Sequence, residues 1–303
     1  MTDPLPAISL VAVPGRRRHT LDLAREAERR GFSGIYMPSR WSNMAQCTGL
    51  AFATEHIRFG TAIAPIYAGT VEEFAMSAAY IHEVSGGRFY FGIGVAHAPT
   101  HQRLGISVGK PLADTRDFVA KLRSFDGIGA LPPVVLAALR QRMVALAGEI
   151  AQGVLFANAS LSHVPQSLSV LAPEKRGDPG FLVGNMLPVC ITEDENAALA
   201  LHRRHLERYV LLPNYRNYWK EAGYREEMTA IEKALAEGRR DDIPHYLTDR
   251  WIADNTLYGS PAKVRDRLAE WYAAGVNTPV LVPNSVNGNQ LTALAEIFST
   301  FAD

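Results

Sequence analysis

Two histidines follow a short apolar run in residues 85–101, SGGRFYFGIGVAHAPTH. Phe89, Tyr90, Phe91, Ile93 and Val95 make the run, and His97 and His101 come after it. An imidazole titrates near neutrality, so a loop histidine suits proton transfer. His97, nearest the end of the run, is the candidate catalytic residue. Little else in the chain offers acid–base or nucleophilic chemistry. No pair of carboxylates stands where glycoside hydrolysis would need it. No His/Asp/Glu group has metal-ligand spacing, and no Gly-x-Ser-x-Gly turn occurs. Cys47 and Cys190 are far apart and read as buried small hydrophobes. A chain poor in acids and bases at these positions suits a reaction in which a bound organic cofactor does the chemistry and the protein positions it.

A scaffold must hold that loop. Apolar runs at residues 7–13, 34–38, 57–66, 88–95, 133–138, 154–157, 181–191 and 278–282 read as eight strands, the seventh interrupted by Pro188. Helical patterns separate them. Thr20 is the expected cap of the first helix, Thr70 with Glu73 makes a capping box, and Gly86-Gly87 closes the third helix. Ser260-Pro261 opens a later one. Strands alternating with helices imply a parallel sheet, and about eight units imply a closed (β/α)₈ barrel. The first strand ends in Pro14-Gly15-Arg16, which lacks the glycine pattern of a dinucleotide-binding turn. Polar helical material over about residues 192–258 reads as an insertion between the last two strands of a single domain spanning 1–303.

In such a barrel the site lies at the carboxyl ends of the strands. That nominates residues 16–19, Ser39-Arg40-Trp41, residues 63–67 with Tyr67, Ala96-His97, Leu139-Arg140, residues 158–160 and Asn284. Trp41 would wall a pocket or serve plain packing, and Arg16-Arg17-Arg18 would leave the first strand on the site side or stay a solvated loop. Tyr215, Asn217 and Trp219 lie in the insertion, where they would form a lid or pack as a surface helix.

Composition narrows the partners. The 303 residues are 47% hydrophobic and 20% charged, with 31 basic and 31 acidic side chains. A formal net charge of 0 gives no electrostatic basis for binding nucleic acid or a membrane surface. No apolar run is long enough for a membrane helix, and the start has no basic-then-apolar leader, so a cytoplasmic protein is expected.

The order GFSGIYMPSRW, EHIRFGTAIAPIY and HEVSGGRFYFGIGV resembles the luciferase-like monooxygenase superfamily, especially its actinobacterial branch that uses the deazaflavin coenzyme F420. LPPVVLAALRQRMVALAGEIAQG resembles that branch's phosphate-binding strand–loop–helix, and LPNYRNYWKEAG and Tyr258-Gly259-Ser260-Pro261 are also similar. The resemblance implies a (β/α)₈ barrel with insertions, in agreement with the strand count. It implies that the third strand, Thr61-Ala62-Ile63, bulges behind the cofactor ring with a cis Ala62–Ile63 peptide. It assigns Gly94, Val95, Ala96 and His97 to the ring and tail. It assigns Leu139, Arg140, Gln141, Arg142 and Met143 to the phosphate, held at a helix N-terminus. Ser39 would touch the cofactor, with Arg40, Trp41, Tyr67 and Tyr215 around a small-molecule substrate. Two departures stand out. Relatives commonly carry a glycine near Arg140, and they often place an acid where this chain reads Ser39-Arg40-Trp41. Hydride transfer between F420 and a small organic substrate is the leading expectation. FMN-dependent monooxygenation and a non-catalytic flavin-binding barrel are the alternatives. Similar proteins are usually homodimers.

Overall fold

A computed structural model describes residues 4–39 and 42–301. Arg40 and Trp41 lie outside the described residues. The strands are β1 (Ala7–Ser9), β2 (Gly34–Met37), β3 (Arg58–Thr61), β4 (Ala64–Pro65), β5 (Phe89–Gly94), β6 (Val134–Ala137), β7 (Gly153–Ala157), β8 (Leu182–Ile191), β9 (Leu257–Gly259) and β10 (Thr278–Asn284). Every pairing is parallel. The sheet closes because β10 pairs with both β1 and β8. Both β3 and β4 pair with β5 and together occupy one place in the ring, so this is a closed eight-stranded barrel with β9 added beside β8.

Alternation sets the lumen. Ala7, Tyr36, Val135, Leu155, Leu182, Met186 and Val280 form one small buried cluster, with Ala62, Ile63, Ala157 and Val282 packed against it. The opposite strand faces join the larger core beneath the helices, where Phe59, Phe89 and Phe91 are fully buried.

Several elements differ from expectation. The first strand stops at Ser9 rather than reaching residue 13. The first helix begins at Arg17, and Thr20 sits inside it, buried, with its hydroxyl on the Arg16 carbonyl at 3.4 Å. The third strand divides into β3 and β4 at residues 62–63. A short helix, Ala98–Leu104, stands where an open loop was expected. Pro188 does not interrupt β8. Met186 accepts from Asn158 N on the β7 side, and alternate residues face the same side. The missing N–H of Pro188 therefore falls between the end of β7 pairing at Met186 and the start of β9 pairing at Val189.

Arg88 explains why the Ser-Gly-Gly-Arg-Phe turn is built as it is. Its guanidinium donates to the carbonyls of Ala51, Thr54, Ile57 and Ser85 at 2.8–3.1 Å and to Thr54 Oγ1 at 2.8 Å. It also lies over the Phe59 ring at 5.3 Å. One planar fork thus closes the C-terminus of helix Asn43–Ala53 and ties it to the start of β5. This is the amino-end face of the barrel, where such contacts serve stability.

Between β8 and β9 run the helices Glu195–Val210, Pro213–Glu221, Arg225–Ala236 and Asp249–Asn255. Their contact with the barrel is polar and buried. Asn255 Oδ1 accepts from Trp219 Nε1 at 2.8 Å and from Ser160 Oγ at 2.9 Å. Ser160 N donates to the Tyr218 hydroxyl at 3.0 Å. Trp219 and Trp251 meet edge to face at 4.8 Å. Trp219 is therefore a core residue, fully buried, and not part of a lid.

Candidate active site

The carboxyl rim is organised by the β3–β5 seam. Thr61 Oγ1 donates to the Gly92 carbonyl at 2.6 Å, so its side chain is occupied within the sheet. A Cβ on Gly92 would stand 1.9 Å from the Thr61 carbonyl oxygen, which only glycine permits. Beyond Thr61 the Ala62–Ile63 peptide is cis. The Asn43 amide donates to the carbonyls of Ile63 at 3.0 Å and Met37 at 3.3 Å, joining the exits of β2 and β3. Ala62 and Ile63 remain partly exposed there. Ser39, at the β2 exit, is exposed.

The loop after β5 forms the adjoining wall. A Cβ on Gly94 would lie 2.8 Å from Ala137 Cβ and 3.3 Å from Ile63 Cδ1, so the glycine keeps these strands close. Ala96 has φ +57, unusual for a residue with a side chain. His101 Nε2 meets the Val95 carbonyl at 2.6 Å and its ring packs on Tyr67 at 5.7 Å, so His101 fixes the loop. Tyr67 donates its hydroxyl to Asp114 at 2.5 Å, which ties it to helix Pro111–Leu122 rather than leaving it free for a ligand. His97 occupies the residue before helix Ala98–Leu104 with no capping bond from its side chain. Burial, with His101 adding a like charge, holds its imidazole below the usual range.

The insertion supplies the opposite wall. Tyr215, 4% exposed, lies 5.5 Å from the His97 ring and 5.1 Å from the Tyr209 ring. Its hydroxyl bonds the side chain of Asn158, a buried residue at the β7 exit with φ +55. His205 bonds the side chain of Asn284 at the end of β10. Burial, Arg208 and His202 push its imidazole down to about 3. Asn158 and Asn284 were on the sequence shortlist. His205, Arg208 and Tyr209 were not, although His202, His205 and Tyr209 recur at the spacing of one helical face.

At the expected phosphate site, helix Gln141–Ile150 begins after Arg140 with no side-chain cap and no acid in its first turn. Its open N–H groups suit an anion. Met143 N bonds the Arg140 carbonyl at 3.0 Å, and Gln141 Nε2 donates to the Gln166 carbonyl at 3.2 Å. Leu139 is partly exposed and Arg142 exposed. The Arg140 guanidinium is paired with Glu221, its Nε at 2.9 Å from the carboxylate. Its charge is thus balanced from within the protein.

Taken together, the rim offers an apolar shelf at Ala62, Ile63 and Val95, the partly exposed imidazole of His97, and an anion-compatible helix start. This donor set fits a flat heterocycle with a phosphate tail. A separate cavity of about 370 Å³ opens beside β1 and β2, lined by Ala12, Leu21, Met37 and Leu50 with Arg17 and Arg18.

A Mycobacterium tuberculosis protein named as a coenzyme F420-dependent oxidoreductase is 25% identical, over 87% of this chain and 90% of that protein. The coenzyme F420-dependent tetrahydromethanopterin reductase from Methanopyrus kandleri superposes with a TM-score of 0.75 at 18% identity, covering 98% of this chain and 97% of that one. The oxygenating constituent of 3,6-diketocamphane monooxygenase from Pseudomonas putida, in complex with FMN, gives 0.66 at 14% identity, covering 99% and 98%. The sequence model for luciferase-like monooxygenases matches residues 7–278, and the chain belongs to that family.

Proposed function

We propose that this protein is an F420-dependent oxidoreductase that transfers hydride between the deazaflavin and a small organic substrate carrying an alcohol or carbonyl. The carrying observation is the partly exposed His97, set against Tyr215 beside the apolar shelf of Ala62, Ile63 and Val95. The F420 names of the relatives support the choice of cofactor. When bound, coenzyme F420 supplies a ring carbon that accepts or donates a hydride. Ala62, Ile63, Val95 and Ala96 would hold the ring, and the first turn after Arg140 the phosphate. In the oxidising direction His97, kept neutral, takes the hydroxyl proton as hydride leaves the carbinol carbon. In reverse it returns the proton to the carbonyl oxygen.

The test uses oxidised F420, purified protein and a panel of secondary alcohols under anaerobic conditions. Loss of the cofactor's visible absorbance with at least one alcohol supports the reading. No bleaching with any alcohol, together with substrate-dependent oxygen uptake on reduced FMN, replaces it with the monooxygenase alternative.

A homodimer and a cytoplasmic setting belong to the same proposal. Helix Asn43–Ala53 has no charged residue, although it lies on the outside of the barrel. Phe52 on it is 67% exposed, and Met76 and Tyr80 on the adjacent helix Val71–Val84 are 46% and 52% exposed. A second copy of the chain would cover this patch. Light scattering should give a dimer that Phe52→Asp converts to monomer; a monomeric parent protein removes the idea. Both cysteines are free and buried, which suits a reducing compartment. Among the described residues no helix is long and apolar enough to cross a membrane.

A further inference from the structure

Helix Glu195–Val210 turns one face toward the barrel mouth, and that face ends in an arginine with no acid to hold it. Arg203, Arg216, Arg239 and Arg250 in the same insertion each pair with a carboxylate. Arg208, like Arg204, Arg225 and Arg240, forms no ion pair among the described residues, and it stacks on a ring of this wall. Its guanidinium lies over the Tyr209 ring at 5.0 Å, with Nη2 3.2 Å from His205 Nε2 and 3.5 Å from the Tyr209 hydroxyl. Tyr209 packs on Tyr215, and Tyr215 on His97. One aromatic wall therefore has His97 at one end and, at the other, a stacked cation with no carboxylate partner among the described residues.

The positive charge of Arg208 reaches both the His205 imidazole and the Tyr215 hydroxyl. A guanidinium lying over a tyrosine ring, with donors left over, matches a planar oxyanion in two-point contact.

We propose that Arg208 receives a carboxylate of the substrate, so that the preferred substrates are flat or apolar organic acids lying along Tyr209 toward His97. This rests on the hydride-transfer reading for the far end of the substrate. The anion preference itself is a property of the wall.

The test compares benzoate with benzamide, which share shape but not charge, by calorimetric titration of F420-loaded protein and of cofactor-free protein. Benzoate should bind at least about tenfold more tightly than benzamide, as a charge-assisted pair predicts. Arg208→Gln should erase that preference, and Arg208→Lys should restore part of it. Both variants should keep the parent's affinity for F420 and its melting temperature, since Arg208 is exposed. Equal binding of benzoate and benzamide overturns the proposal. So does an Arg208→Gln variant that loses F420 affinity as strongly as benzoate affinity, because the arginine then serves the cofactor. Failure to bind F420 at all would overturn the hydride-transfer reading instead, and the cofactor-free titration still decides the arginine's role.

Discussion

The rings of His97 and Tyr215 lie 5.5 Å apart with their planes at 59°, so the loop after β5 and the helical insertion meet over the barrel mouth. Residues 118 positions apart in the chain thereby share one wall. His97 can be judged only with this partner in place, because burial at the contact keeps its imidazole neutral near pH 7.

That neutrality gives a pH profile. With the folded value held below the usual ~6.5, the proton-accepting form dominates at neutral pH. For alcohol oxidation, kcat/KM should rise with pH through a value below ~6.5 and stay flat above it. His97→Gln should abolish this limb and lower kcat by roughly 10²-fold, with a smaller change in cofactor affinity. A variant that keeps both the limb and the rate removes His97 from the chemistry.

Arg88 should matter for stability alone. Arg88→Ala leaves the carbonyls of Ala51, Thr54, Ile57 and Ser85 without their donor. The expected cost is about 3 kcal/mol or more, read as a fall of roughly 6–10 °C in Tm. Ligand affinities of the folded fraction should be unchanged, since the site is at the other end of the barrel.

Much of this architecture was legible in the chain. Parallel strands buried on both faces leave continuous apolar runs, and Thr70 caps its helix, accepting from Glu73 N at 3.1 Å, while the Glu73 carboxylate accepts from Ser77 instead of completing the expected capping box. Ser260 likewise accepts from Lys263 N at 3.3 Å. Pro188 misled because sequence shows the missing N–H but not that β8 changes neighbours there. The candidate site was less legible. Loop positions such as His97 and Asn158 follow from the rule that barrels act at strand ends. His205, Arg208 and Tyr209 sit on a helix whose relation to the mouth depends on how the insertion folds back, and Asn255, Ser160 and Trp219 fix that only in three dimensions.

Acid should loosen the insertion first. His202 is fully buried, with Nε2 3.3 Å from the Leu257 carbonyl, and burial pushes it down to about 4. Its folded value lies below the unfolded ~6.5, so the unfolded chain binds the proton more readily. Stability is fully present above pH ~6.5 and is lost as pH falls toward about 4. His205, shifted the same way, adds to the effect. Thermal melts between these limits should show a fall in Tm that His202→Phe reduces. An identical pH slope in the variant assigns the loss elsewhere.

Gly92→Ala should be poorly tolerated for its size. The added methyl would meet the Thr61 carbonyl at 1.9 Å, so β3 must move away from β5. A loss of about 2–3 kcal/mol in denaturant unfolding is expected. Near-neutral stability would mean that the seam is more compliant than its geometry.

The proposed reaction depends on the rim at Ile63 and Val95 seating a deazaflavin. Titrating the cofactor-free protein with oxidised F420, with FMN as competitor, measures this most directly. The account predicts saturable binding of F420 at micromolar concentration and poor displacement by FMN. Absence of saturable F420 binding, or its ready displacement by FMN, would contradict it.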